Sequence, residues 1–301
     1  MTPVFDDVMD CELTVAHTAR AVHPMTINAS MNSRLHIQVV GNGEPALVFV
    51  HGFACTHEDW RKQIPALSPT FRCVALDLPG HGMSAPPAQA TMTALGDAVN
   101  VAKAKAHARR VVLVGHSLGC KVIREAYSAS NADVAGLVFI EGAYYDGDRE
   151  ALMERARDLI DSEGFATFAK RHFAAMFVEG TDPTLRDQVL ARVAALDPQF
   201  ARDMYIEAVG WDPLRGEQTL REIGVPVLVL QSTYNDARLV RKPLDSGMTT
   251  PFMDAVERLV DRADITVVPG CGHFCLLEAP DVVNRELHAF ASKLTRTAAS
   301  T

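Results

Sequence analysis

Gly115-His116-Ser117-Leu118-Gly119 sets a serine between two glycines, directly after the apolar run Val111–Val114 and directly before a segment of helical composition. A serine at such a strand-to-helix turn is a candidate nucleophile. The turn crowds its neighbours, and glycines two before and two after it remove the side chains that would clash. It lifts the hydroxyl above the sheet edge, at the positive end of the following helix, where developing negative charge is favoured. A serine hydroxyl is a weak nucleophile and needs a base. His273 is the candidate, in the glycine-rich loop Pro269-Gly-Cys-Gly-His273-Phe274 just after the last apolar run. It lies 156 positions from Ser117. In a parallel sheet, however, all strand C-termini open on one edge, so the two loops are neighbours. The other ten histidines have no such placement. A tetrahedral intermediate also needs donors for its oxyanion. In Val50-His51-Gly52-Phe53, Gly52 lets the backbone turn so that the Phe53 N–H faces the cleft. The Leu118 N–H, next to the nucleophile, is the second donor. His51 is assigned a structural hydrogen-bonding role.

These residues need a scaffold that brings distant loops together, and the apolar pattern supplies one. Leu35–Val40, Ala46–Val50, Arg72–Asp77, Val111–Gly115, Gly136–Glu141, Val225–Gln231 and Asp264–Pro269 read as strands. Several are continuous apolar runs, the mark of strands buried on both faces. Helical stretches separate them at Thr91–Arg109, Leu118–Ser130, Thr250–Val260 and Ala279–Leu294. Strands alternating with helices predict an α/β fold with a mostly parallel sheet. The alternation stops between residues 147 and 222. There Arg149–Ser162, Phe165–Val178, Thr184–Leu196 and Gln199–Val209 read as amphipathic helices punctuated by Pro183, Pro198 and Pro213. The expected organisation is an N-terminal extension (1–24), a core (25–146 and 223–301) and a helical cap (147–222). Apolar cap residues such as Phe168, Phe173, Met176 and Tyr205 pack the helices together or line an apolar pocket, and Tyr144 and Tyr145 border the cleft.

Composition excludes several classes. The chain has 301 residues, 48% hydrophobic and 22% charged, close to a globular average. Twenty-nine basic against 37 acidic residues give a net charge of -8, a poor match to nucleic acid. No run is long and apolar enough to span a membrane, and residues 1–24 do not form a signal segment. Six cysteines in a chain of this length are not a disulfide scaffold and are expected to be free thiols in a reducing, cytoplasmic compartment. Cys271-Gly-His273-Phe-Cys275 has no known zinc spacing and no second ligand pair nearby, so no metal is expected.

Taken in order, the motifs resemble those of α/β-hydrolase-fold serine hydrolases. They are His51-Gly-Phe53, Asp77-Leu-Pro-Gly-His-Gly-Met-Ser84, Gly115-His-Ser-Leu-Gly119, the helical insertion, and Gly270-Cys-Gly-His273 followed by Leu277-Glu-Ala-Pro280. The resemblance covers about residues 25–294. It implies an eight-stranded mostly parallel sheet, a helical cap, a Ser–acid–His triad, and no cofactor or metal. A serine at the elbow argues against the haloalkane dehalogenase and epoxide hydrolase branches, which place Asp there. The acid departs from the family pattern. After Val225–Gln231, the usual Gly-x-x-Asp is replaced by Ser232-Thr-Tyr-Asn235-Asp236. Asn235 falls where the aspartate is expected, and Asp236 is one beyond. The alternative is Glu141, at the end of the strand before the insertion. The fungal resorcylic-lactone hydrolases and the cofactor-free dioxygenases of the fold keep their acid there. Glu141 follows Ser117 by 24 positions, one helix plus one strand, and so reaches the same edge. A glutamate at a buried strand end is costly unless paired. Glu141 is taken as the acid, with Asp236 as its rival and a purely structural brace as the third reading.

The expected chemistry is cleavage of a small-molecule carboxylic ester or lactone through an acyl-enzyme, by a monomer or homodimer. The alternatives are a cofactor-free oxygenase or lyase using His273 as base toward a substrate proton, and a binding protein with a degenerate site.

Overall fold

The computed structural model describes residues 35–236 and 240–299. The extension expected at residues 1–24, with Cys11, lies outside the described residues. Strands β1 (Ile37–Val40), β2 (Ala46–Val50), β3 (Cys73–Leu76), β4 (Val111–His116), β5 (Val134–Ile140), β6 (Val227–Gln231) and β9 (Ala263–Val267) form one sheet in the order β1-β3-β2-β4-β5-β6-β9. Only β1 runs antiparallel, against β3. β2 pairs in parallel with β3 and β4, and β4–β5, β5–β6 and β6–β9 are parallel too. Every residue of β2 through β6 is buried, which is why these segments read as unbroken apolar runs. The described residues contribute seven strands to this sheet, where the family resemblance implied eight. β6 starts at Val227 rather than Val225, because Pro226 has no N–H for the ladder.

A second sheet was not expected. β7 (Thr233–Asn235) and β8 (Arg241–Pro243) pair antiparallel just after β6, with Asn235 opposite Arg241. Both strands are short and polar, so no hydrophobic alternation marks them.

On the two faces of the sheet lie α1 (Gln63–Leu67), α2 (Met92–Lys105), α3 (Leu118–Ala129) and, after the insertion, α9 (Pro251–Leu259), α10 (Cys275–Glu278) and α11 (Pro280–Ala299). Between β5 and β6 run α4 (Arg149–Glu163), α5 (Phe165–Ala174), α6 (Pro183–Ala195), α7 (Pro198–Trp211) and α8 (Glu217–Arg221), with no strand among them. Local chemistry sets the helix starts. The side chains of Thr91, Asp148, Asp182, Asp197 and Thr250 each accept from a backbone N–H of the first turn, and Pro183, Pro198 and Pro251 occupy first positions. α2 ends four residues before the expected Arg109, because His107 takes a left-handed conformation (φ 46°).

One buried ionic cluster ties the inserted helices to α3. A π-helical turn, Asp212–Gly216, follows α7. The Asp212 carboxylate accepts from Lys121 Nζ at 2.6 Å, Arg124 Nη2 at 3.1 Å and the Tyr145 N–H at 3.0 Å. Arg124 also donates to the Gly216 carbonyl and lies over the Trp211 ring. The five described cysteines are free and buried, and no described helix is long and apolar enough to cross a membrane. Asp212→Ala would leave two buried cations without their counter-charge. It should destabilise the protein by about 3–5 kcal/mol, read from the shift in denaturant midpoint; a loss below about 1 kcal/mol would show that the cluster is not what ties the insertion down.

Candidate active site

The C-terminal ends of β2, β4, β5, β6 and β9 share one edge, and the loops leaving them carry the candidate residues. Ser117 links β4 to α3 with φ 53° and ψ −116°, a left-handed region that a residue with a Cβ enters at a cost. Its N–H donates to the Ile140 carbonyl at 2.9 Å, so the turn is clamped to the end of β5. The flanking glycines are needed for close approach. A Cβ on Gly115 would lie 2.5 Å from the Gly119 backbone, and one on Gly119 would lie 2.3 Å from the Val50 carbonyl oxygen. Leu118 opens α3, so its N–H has no intrahelical acceptor. Phe53 and Leu118 line the same cavity as Ser117.

Glu141 also has a left-handed backbone, with φ 55°, and is 1% exposed. Its Oε1 accepts from the Ser232 N–H, from the Ser232 hydroxyl at 2.9 Å and from the Thr233 N–H at 2.8 Å. Its Oε2 accepts from the Thr233 hydroxyl at 2.5 Å, from His273 Nδ1 at 2.8 Å and from Arg241 Nη1 at 3.4 Å. Burial alone would raise this carboxyl's pKa. The hydrogen bond and charge of His273, the Arg241 guanidinium and the Thr233 hydroxyl overcome that and hold it at about 2. Glu141 is therefore a carboxylate.

His273 is held at both its backbone and its ring. Its N–H donates to the Met176 carbonyl at 3.3 Å, and its carbonyl accepts from His116 Nε2 at 2.9 Å. Glu141 can only accept, so Nδ1 carries the ring proton and Nε2 carries the lone pair. Nε2 is buried with no hydrogen-bond partner among the described residues. Burial, followed by the nearby charge of Arg241, lowers the His273 pKa against the opposing pull of Glu141. The ring is thus neutral, with Nε2 unpartnered among the described residues, and His273 and Ser117 line the same cavity. Ser117 and His273 are not hydrogen-bonded to each other.

The structure thus brings Ser117, His273, Phe53 and Leu118 to one cavity, with Glu141 behind His273. It does not bring Asp236 to His273. Asp236 sits beyond β7, where its Oδ1 accepts from the Val240 N–H at 3.0 Å and its own N–H donates to the Val240 carbonyl. His51 is buried, donating from Nδ1 to the Gly52 carbonyl and accepting the Leu78 N–H at Nε2. Cys271 donates to the Val268 carbonyl, and His273 is taken by Glu141, so that segment offers no converging ligands. Among the described residues one trio, His36, His57 and Asp77, has ligand atoms within 4.8 Å of one another. The Asp77 carboxylate is already occupied there by the His57 N–H, His57 Nδ1 and the Met83 N–H, and none of the trio lines the cavity.

The cavity has a volume of about 390 Å³, in the range of small-ligand sites. Phe53, Leu118 and Phe274 line it from the sheet edge, and Phe173, Met176, Tyr205 and Val209 from the α5–α7 side. Of the apolar residues expected to pack or line, Phe168 lies between the helices, against His172 and Tyr205, and Phe177 stacks on Phe274. Sequence reasoning missed Ser232, Thr233, Arg241 and His172. For the first two a signal existed. Hydroxyl residues standing where the family's Gly-x-x-Asp begins are the donors that a carboxylate arriving from the neighbouring strand requires.

The alpha/beta hydrolase family model matches residues 47–286. The chain is 28% identical over 291 residues to the dihydrolipoyllysine-residue acetyltransferase component of the acetoin cleaving system of Pseudomonas putida, covering 91% of this chain and 71% of that protein. It is 27% identical over 277 residues to (E)-2-((N-methylformamido)methylene)succinate hydrolase of Acinetobacter baylyi, covering 88% and 97%. A thermophilic esterase from Thermogutta terrifontis superposes with a TM-score of 0.71 at 21% identity, covering 86% of this chain and 93% of the esterase.

Burial makes this edge sensitive to acid. It lowers His51 to about 4, His81 to about 3, His116 to about 4 and His172 to about 4. Unfolded, each would take a proton near 6.5. Between those values the unfolded chain binds more protons, so stability should fall as pH drops from about 6.5 toward 4, by on the order of 1 kcal/mol for each histidine. Glu141 adds to the loss below about 4.5, where the unfolded carboxyl protonates and the folded one does not. The denaturant midpoint should be clearly lower at pH 5 than at pH 7; an equal or higher midpoint at pH 5 would contradict this charge assignment.

Proposed function

The chain belongs to the alpha/beta hydrolase family, and from the geometry of its sheet edge we propose that it cleaves a carboxylic ester or lactone through an acyl-enzyme on Ser117. The observation that carries the reading is the 2.8 Å bond from His273 Nδ1 to a fully buried carboxylate, with the opposite ring nitrogen unpartnered beside the cavity. In this reading Ser117 Oγ attacks the acyl carbon while His273 Nε2 takes its proton. Glu141 remains ionised throughout. It fixes the tautomer of His273 and stabilises the imidazolium as it forms. The Phe53 and Leu118 N–H groups receive the oxyanion, and the N-terminus of α3 adds its positive end. The imidazolium then gives its proton to the leaving alkoxide, and water, deprotonated in the same way, releases the acid. The inserted helices, residues 147–222, act as a cap that excludes bulk water and selects substrate. The names of a hydrolase and an esterase among the similar proteins agree with this reaction class.

Ser117→Ala should abolish hydrolysis of p-nitrophenyl esters in a folded protein. Full turnover by that variant would remove the acyl-enzyme and favour His273 acting directly on a substrate proton, as in an oxygenase or lyase. Glu141→Gln keeps the size of the side chain but loses the anion, and should lower kcat by about 10³–10⁴-fold. Asp236→Asn, at a carboxylate that accepts from the Val240 N–H while His273 Nδ1 is held by Glu141, should cost less than about tenfold. If Asp236→Asn is the inactive variant and Glu141→Gln keeps most of its rate, the acid is misassigned.

A further inference from the structure

The chain carries a net charge of -8, yet its cavity is lined by three cations, Lys121, Arg171 and Arg241, and by the neutral histidines His116, His172 and His273, with no Asp or Glu among the described lining residues. The three cations differ in what they have left to offer. Lys121 is consumed by Asp212 and the Ala208 carbonyl, with the Tyr145 ring over its ammonium. Arg171 binds Glu163 through Nε and Nη2 and is more than half exposed. Arg241 uses one nitrogen only. Its Nη1 donates to the Thr233 hydroxyl at 2.6 Å and reaches Glu141 Oε2 at 3.4 Å, while Nε and Nη2 have no partner among the described residues. Its side chain is 18% exposed and lines the cavity. An Nε–Nη2 edge is the fork that matches a carboxylate with two parallel hydrogen bonds.

Arg241 is also held for such a role. Nη1 is anchored on Thr233, and the backbone is paired in the β7–β8 ribbon. Directly across the ribbon is Asn235, which lines the same cavity and offers a neutral amide. An aspartate there, as the family pattern would place it, would put an anion beside the fork and repel an acidic ligand. The surrounding titratable groups do not compete. Glu141 is saturated by other donors, His172 is neutral because burial and the Arg241 charge keep its proton off, and Tyr145 is a neutral phenol.

We propose that the substrate is an anionic ester or lactone, carrying a carboxylate that docks on the free edge of Arg241 beside Asn235 while its acyl carbon lies at Ser117. This rests on the serine-hydrolase reading and narrows it. The free edge of Arg241 is then the specificity determinant, and the apolar wall of Phe53, Phe173, Met176 and Val209 holds the carbon chain between the two ends.

The test compares two p-nitrophenyl esters of equal acyl length: the neutral valerate and the glutarate hemi-ester with its terminal carboxylate. The unmodified protein should show the higher kcat/KM on the hemi-ester. Arg241→Met should lower the ratio of the two kcat/KM values by roughly 10–100-fold, mainly through KM, whatever it does to both esters through Glu141. Arg241→Lys should recover part of the ratio. Independently of any variant, glutarate should inhibit valerate hydrolysis competitively and glutaramide should not. A preference for the neutral ester, an unchanged ratio in a folded Arg241→Met, or equal inhibition by glutarate and glutaramide would overturn the proposal. Labelling of Ser117 by a fluorophosphonate separates the two levels. Labelled Ser117 with no preference sinks only the anionic substrate; unlabelled Ser117 with neither ester cleaved sinks the hydrolase reading and this proposal with it.

Discussion

Glu141 is an ionised group with no access to water, and that condition governs its surroundings. A lone buried carboxylate would cost several kcal/mol, so donors must converge on it. They come from four places: the end of β6 (Ser232), the start of the ribbon (Thr233), its return strand (Arg241) and the loop after β9 (His273). Each donor fixes the segment that carries it. The ring of His273 takes its orientation and tautomer from this bond, and its backbone is held by Met176 and His116. The cost of the arrangement is visible in the chain itself. Ala54 after β2, Ser117 after β4 and Glu141 after β5 all adopt positive φ without being glycine, on the same edge of the sheet. Strain of this kind survives where the surroundings over-determine the conformation.

The inserted helices, which contribute residues to the cavity lining, depend on the same physics at a second level. The inserted helices meet the core through buried or half-buried ion pairs. Asp212 receives Lys121 and Arg124 from the helix that begins at Ser117, and Arg192 of α6 reaches the buried Asp59 at 2.7 Å. Charged pairs of this kind specify one geometry more than they add stability, since removing either partner strands the other. The helix that follows Ser117 thus supports both the turn at Ser117 and the inserted helices. A π turn at Asp212, where α7 gives way to α8, sets that carboxylate against the two cations.

Much of this was legible in the sequence, and the remainder was hidden for definite reasons. Strands buried on both faces announce themselves as apolar runs, and capped or proline-led helices announce their starts, so β2, β4, β5 and the inserted helices lie within a few residues of expectation. The turn at Ser117 was visible because its glycines are forced by backbone approaches of 2.3–2.5 Å at Gly115 and Gly119, and the His273 loop because Gly270 takes a left-handed φ of 74°. Glu141 stood out because an acid at the end of Leu137-Val-Phe-Ile140 needs a partner, although only the fold shows that the partner is His273. The β7–β8 ribbon was missed because it is short and polar, and Arg241 with it, since an arginine 100 positions from Glu141 leaves no local trace of their contact. Asp212 was missed likewise. Its importance lies in two cations on a helix about 90 residues earlier, a pairing set by tertiary packing.

The central claim is a covalent step at Ser117. Intact-protein mass spectrometry of enzyme acid-quenched during turnover of a p-nitrophenyl ester, followed by peptide mapping, reads that step directly. An adduct of the acyl mass on the peptide bearing Ser117, absent from Ser117→Ala, is the predicted result. Turnover without any adduct, even in the pre-steady-state burst, or an adduct on a different residue, would contradict it.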